Sequence, residues 1–187
     1  MDFLLNLDTS ILLFIQEYLR NPVLTAILRV ITTLGEGGVI WIVLSVALLI
    51  PKKTRKVGCM GLLALLLMLI INNIGLKNLI ARPRPYTVTP EIITLASRPS
   101  SYSFPSGHTA SSFAAAGVFY RKLPKKFGIP AIVLAAVMGL SRMYVGVHYT
   151  TDVLGGMLCG IAISYLATWL WTKLESLVNK AKAAQEQ

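Results

Sequence analysis

The sequence predicts an all-α fold: an integral membrane bundle of six transmembrane helices, preceded by a helix lying at the membrane interface. Three observations carry that prediction. Apolar residues make up 55% of the 187-residue chain and charged residues only 14%, whereas soluble domains carry about a quarter charged residues. The mean hydropathy is +0.65. Long apolar runs recur from residue 37 to residue 172, leaving no polar stretch large enough for a separate soluble domain. The expected organisation is one membrane domain, 1–173, with a short polar tail, 174–187.

A helix crosses the hydrocarbon core with about 20 apolar residues. Phe3 to Leu19 is apolar but interrupted by Asn6, Asp8 and Gln16, which suits an interfacial helix. Its Asp2 and the lack of a small-residue cleavage site argue that it is retained rather than removed as a signal. Pro22 to Leu34 is a short or tilted first span with Arg29 inside it, and Gly37 to Ile50 a second, ended by Pro51. Val57 to Ile80 satisfies the length requirement, with its polar residues confined to the final third. Gly107 to Tyr120 is shorter and rich in small residues, as expected of a helix buried among others. Gly128 to Val147 and Asp152 to Trp171 complete the set of six. The pair Gly156 and Gly160 has the spacing that lets helices approach closely, a pattern that chance also produces.

The net charge is +10. In a soluble protein this would suggest nucleic acid, but no soluble recognition module is present. The cations instead cluster at the ends of apolar segments. Lys52, Lys53, Arg55 and Lys56 follow the second span, and Arg121, Lys122, Lys125 and Lys126 follow the fourth, with no acid among them. Lys173, Lys180 and Lys182 follow the sixth span, against Glu175 and Glu186. Six helices put all three groups on one side, and the positive-inside tendency makes that side cytoplasmic. The connections 81–106 and around His148 then face outward. Cys59 and Cys159 both fall within apolar runs and read as packing residues, not as a disulfide or a zinc site.

Three features remain on the outer side. Lys77 and Arg84 are seven residues apart, about two helical turns, but Pro83 and Pro85 break the helix first. Arg84 is therefore expected on a stiff extended segment. Either cation taken alone could simply snorkel to the interface, and Arg82 is read that way. The second feature is Pro105-Ser106-Gly107-His108, directly before an Ala- and Ser-rich helix. A helix start presents unpaired N–H groups that favour an anion, although an ordinary cap with an interfacial histidine has the same appearance. The third is Ser141-Arg142, His148 and Asp152. His148 and Asp152 are spaced i,i+4, so the carboxylate can accept from one ring nitrogen and aim the other, as nucleophile or as base. A metal pair is the rival reading, but the chain has only two histidines and no acidic cluster to complete a shell. Lys77, Arg84 and Arg142, a helix N-terminus, two histidines and an aspartate on one face suit a phosphoryl group. Tyr86, Tyr102 and Tyr144 near the same mouth read as interfacial aromatics.

Lys77–x6–Arg84-Pro85, Pro105-Ser106-Gly107-His108 and Ser141-Arg142–x5–His148–x3–Asp152 resemble, in order and in spacing, the three signature motifs of the type 2 phosphatidic acid phosphatase superfamily. The resemblance implies that His148 attacks phosphorus to form a phosphohistidine and that Asp152 holds its tautomer. It implies that His108 protonates the leaving oxygen and then activates water. Lys77, Arg84, Ser106, Gly107 and Arg142 are implied to bind phosphate oxygens, with no metal or cofactor. The superfamily also includes soluble vanadate-dependent haloperoxidases, a branch that the spanning helices argue against. The expected substrate is a lipid phosphate or diphosphate drawn from the bilayer, foremost undecaprenyl diphosphate. Phosphatidylglycerophosphate or phosphatidic acid is the alternative, and a non-enzymatic phosphate-binding membrane protein is the alternative of a different class.

Overall fold

A computed structural model describes residues 2–185. Glu186, counted above with the tail, lies outside the described residues. All regular structure among them is helical. Helix α1 (Asp2–Phe14) continues as π-helical turns over Ile15–Leu19. Helix α2 (Pro22–Leu34) starts where the Asn21 side chain accepts from the Leu24 N–H at 2.9 Å, with the proline at the first helical position. Gly37 and Gly38, at φ 59° and 73°, then turn the chain into α3 (Val39–Ala47) through a backbone conformation that glycine adopts without penalty. Helix α4 (Arg55–Met68) runs through π-helical Leu69–Leu76 into α5 (Lys77–Ile80), which Ala81 stops at φ 49°. The short α6 (Pro85–Val88) leads by a long connection to α7 (Gly107–Lys122), α8 (Lys125–Tyr144) and α9 (Thr150–Gln185). Residues 174–185 simply extend α9.

Three of these segments are long and apolar enough to cross a membrane: Arg55–Val88, Lys125–Tyr144 and Thr150–Gln185. Pro22–Leu34 and Glu36–Ala47, bent by 52°, make a fourth if counted as one. The two spans expected here pass that test only as a pair. Thr25 bonds the Tyr144 hydroxyl at 2.8 Å, Gly35 lies against Met138, the Trp41 indole donates to Ser112 at 2.8 Å, and Ser45 lies against Gly58. The physical reason is length, since 13 residues of helix rise only about 20 Å. At 16 residues α7 is also short, and it runs through the centre of the bundle. Thr109 to Phe119 are all buried.

Small residues set how closely the helices approach. A Cβ added at Gly160 would stand 2.5 Å from the Ala110 carbonyl oxygen, and one at Gly156 would stand 2.6 Å from that of Ser106. Both glycines of the expected close-packing pair therefore bring α9 against the α7 backbone. Outside, Ile70, Ile74, Val133, Leu140, Leu158 and Trp169 are exposed. An apolar exterior around a core that contains buried serines and an asparagine is the pattern of a protein solvated by lipid. Cys59 and Cys159 are half-buried and free.

The two ends of the bundle differ. At one end Lys56 pairs with Glu175, and the Arg121 guanidinium lies 4.0 Å over the Tyr165 ring, so the basic connections and the start of the tail lie together. At the other end α1 lies across the connections 81–106 and 145–149. Asp8 accepts from the Thr151 N–H at 3.0 Å, the Gln16 side chain accepts from the Ile93 N–H at 2.8 Å, and Arg20 donates to the Tyr144 carbonyl at 2.9 Å.

Candidate active site

The chain turns tightly after α8, and that turn sets the position of His148. The Val145 N–H donates to Ser141, Val147 donates to Arg142, and Gly146 takes φ 76°. His148 is thereby held 2% exposed, directly before α9. Arg84 reaches it from the extended segment after α5, where φ −81° and ψ 154° match the stiff conformation expected ahead of Pro85. Its Nη1 donates to the Val147 carbonyl at 2.9 Å and lies 3.1 Å from His148 Nε2. Its other nitrogens donate to the Ser101 carbonyl at 2.8 Å and the Ser101 hydroxyl at 3.1 Å. One side chain thus ties the long connection to the histidine.

A guanidinium only donates. His148 Nε2 therefore accepts, and this network assigns the ring proton to Nδ1. Nδ1 lies 3.4 Å from Asp152 Oδ2 and 3.4 Å from the Ser103 hydroxyl, which itself donates to Asp152. The Tyr149 N–H fixes the same carboxylate oxygen at 2.9 Å. Burial pushes the His148 imidazole down from its ordinary range to about 3, with Asp152 opposing that fall and the Arg84 charge adding to it. At neutral pH the ring is uncharged, with a lone pair on Nε2.

The other predicted residues close in around this pair. Ser106 caps α7, accepting from the Thr109 N–H at 3.5 Å, and its own N–H donates to the Asp152 carbonyl at 3.0 Å. Lys77, buried at the top of α5, approaches the Ser101 hydroxyl at 3.5 Å. A Cβ at Gly107 would stand 3.6 Å from the Lys77 ammonium and 2.9 Å from Asn73 Oδ1, so the α7 N-terminus opens onto the lysine. The His108 ring lies beside Gly35, and its buried Nε2 has no partner among the described residues. Arg142 is 3% exposed and donates to the Thr32 hydroxyl, while its buried Nε likewise has no partner. Three cations, the helix start and both histidines thus lie at one end of the bundle. Among the described residues no group of three or more His, Cys, Asp or Glu side chains is placed to hold a metal ion. A cavity of about 300 Å³ opens beside Arg84, lined also by Arg98, Tyr86 and Ser101.

Several neighbours went unread in the sequence. Arg82 does not snorkel. Its Nη1 donates to Asp152 Oδ1 at 2.7 Å and its Nη2 to Asp8 Oδ2 at 2.8 Å. Asp8, read only as an interruption of an apolar stretch, is 1% exposed. A buried carboxylate needs a cationic partner, and that requirement was the signal available. Thr32, Ser101 and Ser103 had none, because hydroxyl residues are common in connections and helices. Tyr144 differs from the expected interfacial aromatic, being buried at 4% exposure with its hydroxyl between Thr25 and Asn21. Tyr86 donates to the Pro99 carbonyl at 2.8 Å, and Tyr102 is exposed.

Fold and site together define an integral membrane protein with three buried cations and two histidines gathered at one end of a helical bundle. The chain belongs to the PAP2 superfamily, whose sequence pattern matches residues 59–176. It is 34% identical over 128 residues to an undecaprenyl-diphosphatase of Sulfolobus acidocaldarius, covering 68% of this chain and 62% of that protein. It is 29% identical over 175 residues to phosphatidylglycerophosphatase B of Bacillus subtilis, covering 87% and 82%. The crystal structure of a transmembrane PAP2-type phosphatidylglycerolphosphate phosphatase from Bacillus subtilis superposes with a TM-score of 0.75 at 29% identity, covering 92% of this chain and 88% of that one. The protein is accordingly a hydrolase of the PAP2 phosphatase type.

Proposed function

We propose that the protein is a metal-independent lipid phosphatase acting through a phosphohistidine on His148, with undecaprenyl diphosphate as its substrate. The observation that carries the mechanism is the Arg84–His148–Asp152 array, in which the donor on Nε2 assigns the ring proton to the Asp152 side. In the first step Nε2 bonds to the terminal phosphorus as its bond to the oxygen bridging to the lipid-linked phosphate breaks. His108, whose neutral ring is favoured by burial and the nearby cations, takes a proton with the incoming phosphate and gives it to that oxygen. In the second step a water oxygen bonds to phosphorus, neutral His108 takes the water's proton, and the phosphorus–nitrogen bond breaks to free phosphate. Lys77, Arg84 and Arg142 balance the charge on the phosphoryl oxygens, with the Gly107 N–H and Ser106 at the helix start. Arg142 Nε and His108 Nε2, buried and without partners among the described residues, support these roles.

Orientation belongs to the same reading. The basic connections 52–56 and 121–126 and the tail 174–187 are cytoplasmic, and the membrane domain 1–173 carries its site on the extracytoplasmic side. This does not depend on counting α2 and α3 as one crossing or two, because all three basic segments follow α3. An outward site and the likeness to the undecaprenyl-diphosphatase of Sulfolobus acidocaldarius support undecaprenyl diphosphate. The Bacillus subtilis relative and the superposed structure support phosphatidylglycerophosphate as the second reading.

The test is phosphate release by the purified protein in detergent with chelator present. Undecaprenyl diphosphate, phosphatidylglycerophosphate and phosphatidic acid are compared, with His148→Ala as control. Turnover in chelator, fastest on the diphosphate and lost in the variant, is expected. Undiminished turnover by His148→Ala removes the mechanism, and a different ranking of lipids replaces the substrate. Phosphate binding without turnover would instead favour a non-enzymatic phosphate-binding protein.

A further inference from the structure

The first helix of the bundle reaches the proposed nucleophile through two side chains. Asp152 presents one oxygen to His148 and Ser103 and the other to Arg82. Arg82 does not stop there. Its guanidinium lies 4.1 Å over the Tyr149 ring and extends to Asp8 on α1, at 2.8 Å. Asp8 also takes the N–H and the hydroxyl of Thr151, next to Asp152 in the chain. The two carboxylates, 1% and 0% exposed, share a single cation.

Charge accounting gives this bridge a purpose. Arg82 alone against Asp152 would leave a neutral pair beside the His148 Nδ1–H. With Asp8 on its far side, the set of two carboxylates and one guanidinium keeps a net negative charge next to that ring. When Nε2 bonds to phosphorus the imidazole acquires positive character, and a net negative neighbour favours that state over the neutral ring of the resting protein. We infer that Asp8, acting through Arg82, is a positioning residue for Asp152 and thereby for the nucleophile. The inference rests on the role proposed above for His148. It assigns a part in the reaction to α1, which lies outside the segment matched by the family pattern.

Asp8→Asn keeps the shape and removes the charge. Partners directly behind a metal ligand are typically worth 10- to 100-fold; Asp8 stands further back, behind Arg82 and Asp152, so kcat is expected to fall by the low end of that range, about 10-fold. KM is expected to hold, since Lys77, Arg84 and Arg142 are untouched. Asp8→Glu restores part of the loss. In an Asp152→Asn background, where the recipient of the effect is gone, Asp8→Asn changes kcat less than about two-fold, the non-additivity of residues acting as one unit. An equal loss in both backgrounds, or a rise in KM in place of a fall in kcat, marks Asp8 as merely structural and overturns the inference. A second readout needs no turnover. The chain has two histidines, so nitrogen-15 labelling of histidine gives separable ring signals, assigned with His108→Asn. Asp8→Asn is expected to shift the His148 nitrogens and leave those of His108 in place. Unchanged His148 nitrogens overturn the inference whatever the rates. If wild type releases no phosphate from any lipid, the proposed function fails while this measurement still decides the role of Asp8.

Discussion

At the scale of the residue, the site is built by sharing donors and acceptors. Arg84 holds the Val147 carbonyl, Ser101 and His148 at once. Asp152 receives Ser103, the Tyr149 N–H and Arg82 while facing His148. The His148 ring, held uncharged mainly by burial, is expected to titrate well below pH 5 in the ligand-free protein, and nitrogen-15 spectra across a pH series measure this directly. The sign for stability follows from the same shift. The folded value, about 3, lies below the unfolded value, about 6.5. The unfolded chain therefore binds more protons between them, and stability falls as pH drops through that window. A His148 midpoint near 6.5 in the spectra sinks this reading. The motif residues were legible because partners lie close in sequence, as Asp152 does four positions after His148. Arg82 and Asp8 were not. Their pairing joins residues 74 positions apart, and nothing local announces it.

At the scale of the element, the decisive packing is α7 against α9. Gly160 lies under the Ala110 carbonyl with no room for a methyl group. Overpacking such a site costs about 1–3 kcal/mol. Gly160→Ala is expected to lower the melting temperature in detergent, while Leu158→Ala, on an exposed position of the same helix, leaves it nearly unchanged. Equal melting of the two variants would show that the close approach carries no stability. The glycine pair was visible in the sequence as a pattern, but its partner helix was not, because spacing names a face and not what covers it. The bend between α2 and α3 was hidden for a different reason. Gly37 and Gly38 mark a turn equally well whether the chain reverses or continues, and hydropathy cannot tell two short crossings from one broken crossing. The π-helical turns at Leu69–Leu76 left no mark at all, since they shift hydrogen bonds without changing composition.

At the scale of the whole molecule, charge separates the two ends. Lys56 meets Glu175 at the basic end, and the histidines lie at the other. With Cys59 and Cys159 replaced by serine, a cysteine at Lys53 is expected to react with an impermeant maleimide only after the cells are opened. One at exposed Arg98 is expected to react in intact cells. The reverse pattern inverts the proposed orientation. Composition alone made the helical membrane character legible, because an apolar exterior is written in nearly every segment.

The bridge from Asp8 to Thr151 has a consequence in time. Its two ends are separated by 143 residues. At about 5–20 residues per second of synthesis, roughly 7 to 30 s pass between the emergence of Asp8 and that of its partner. The first helix of this protein is made early and completed late: its aspartate meets the Arg82 charge 74 residues on, but its Thr151 donors come only with the last helix.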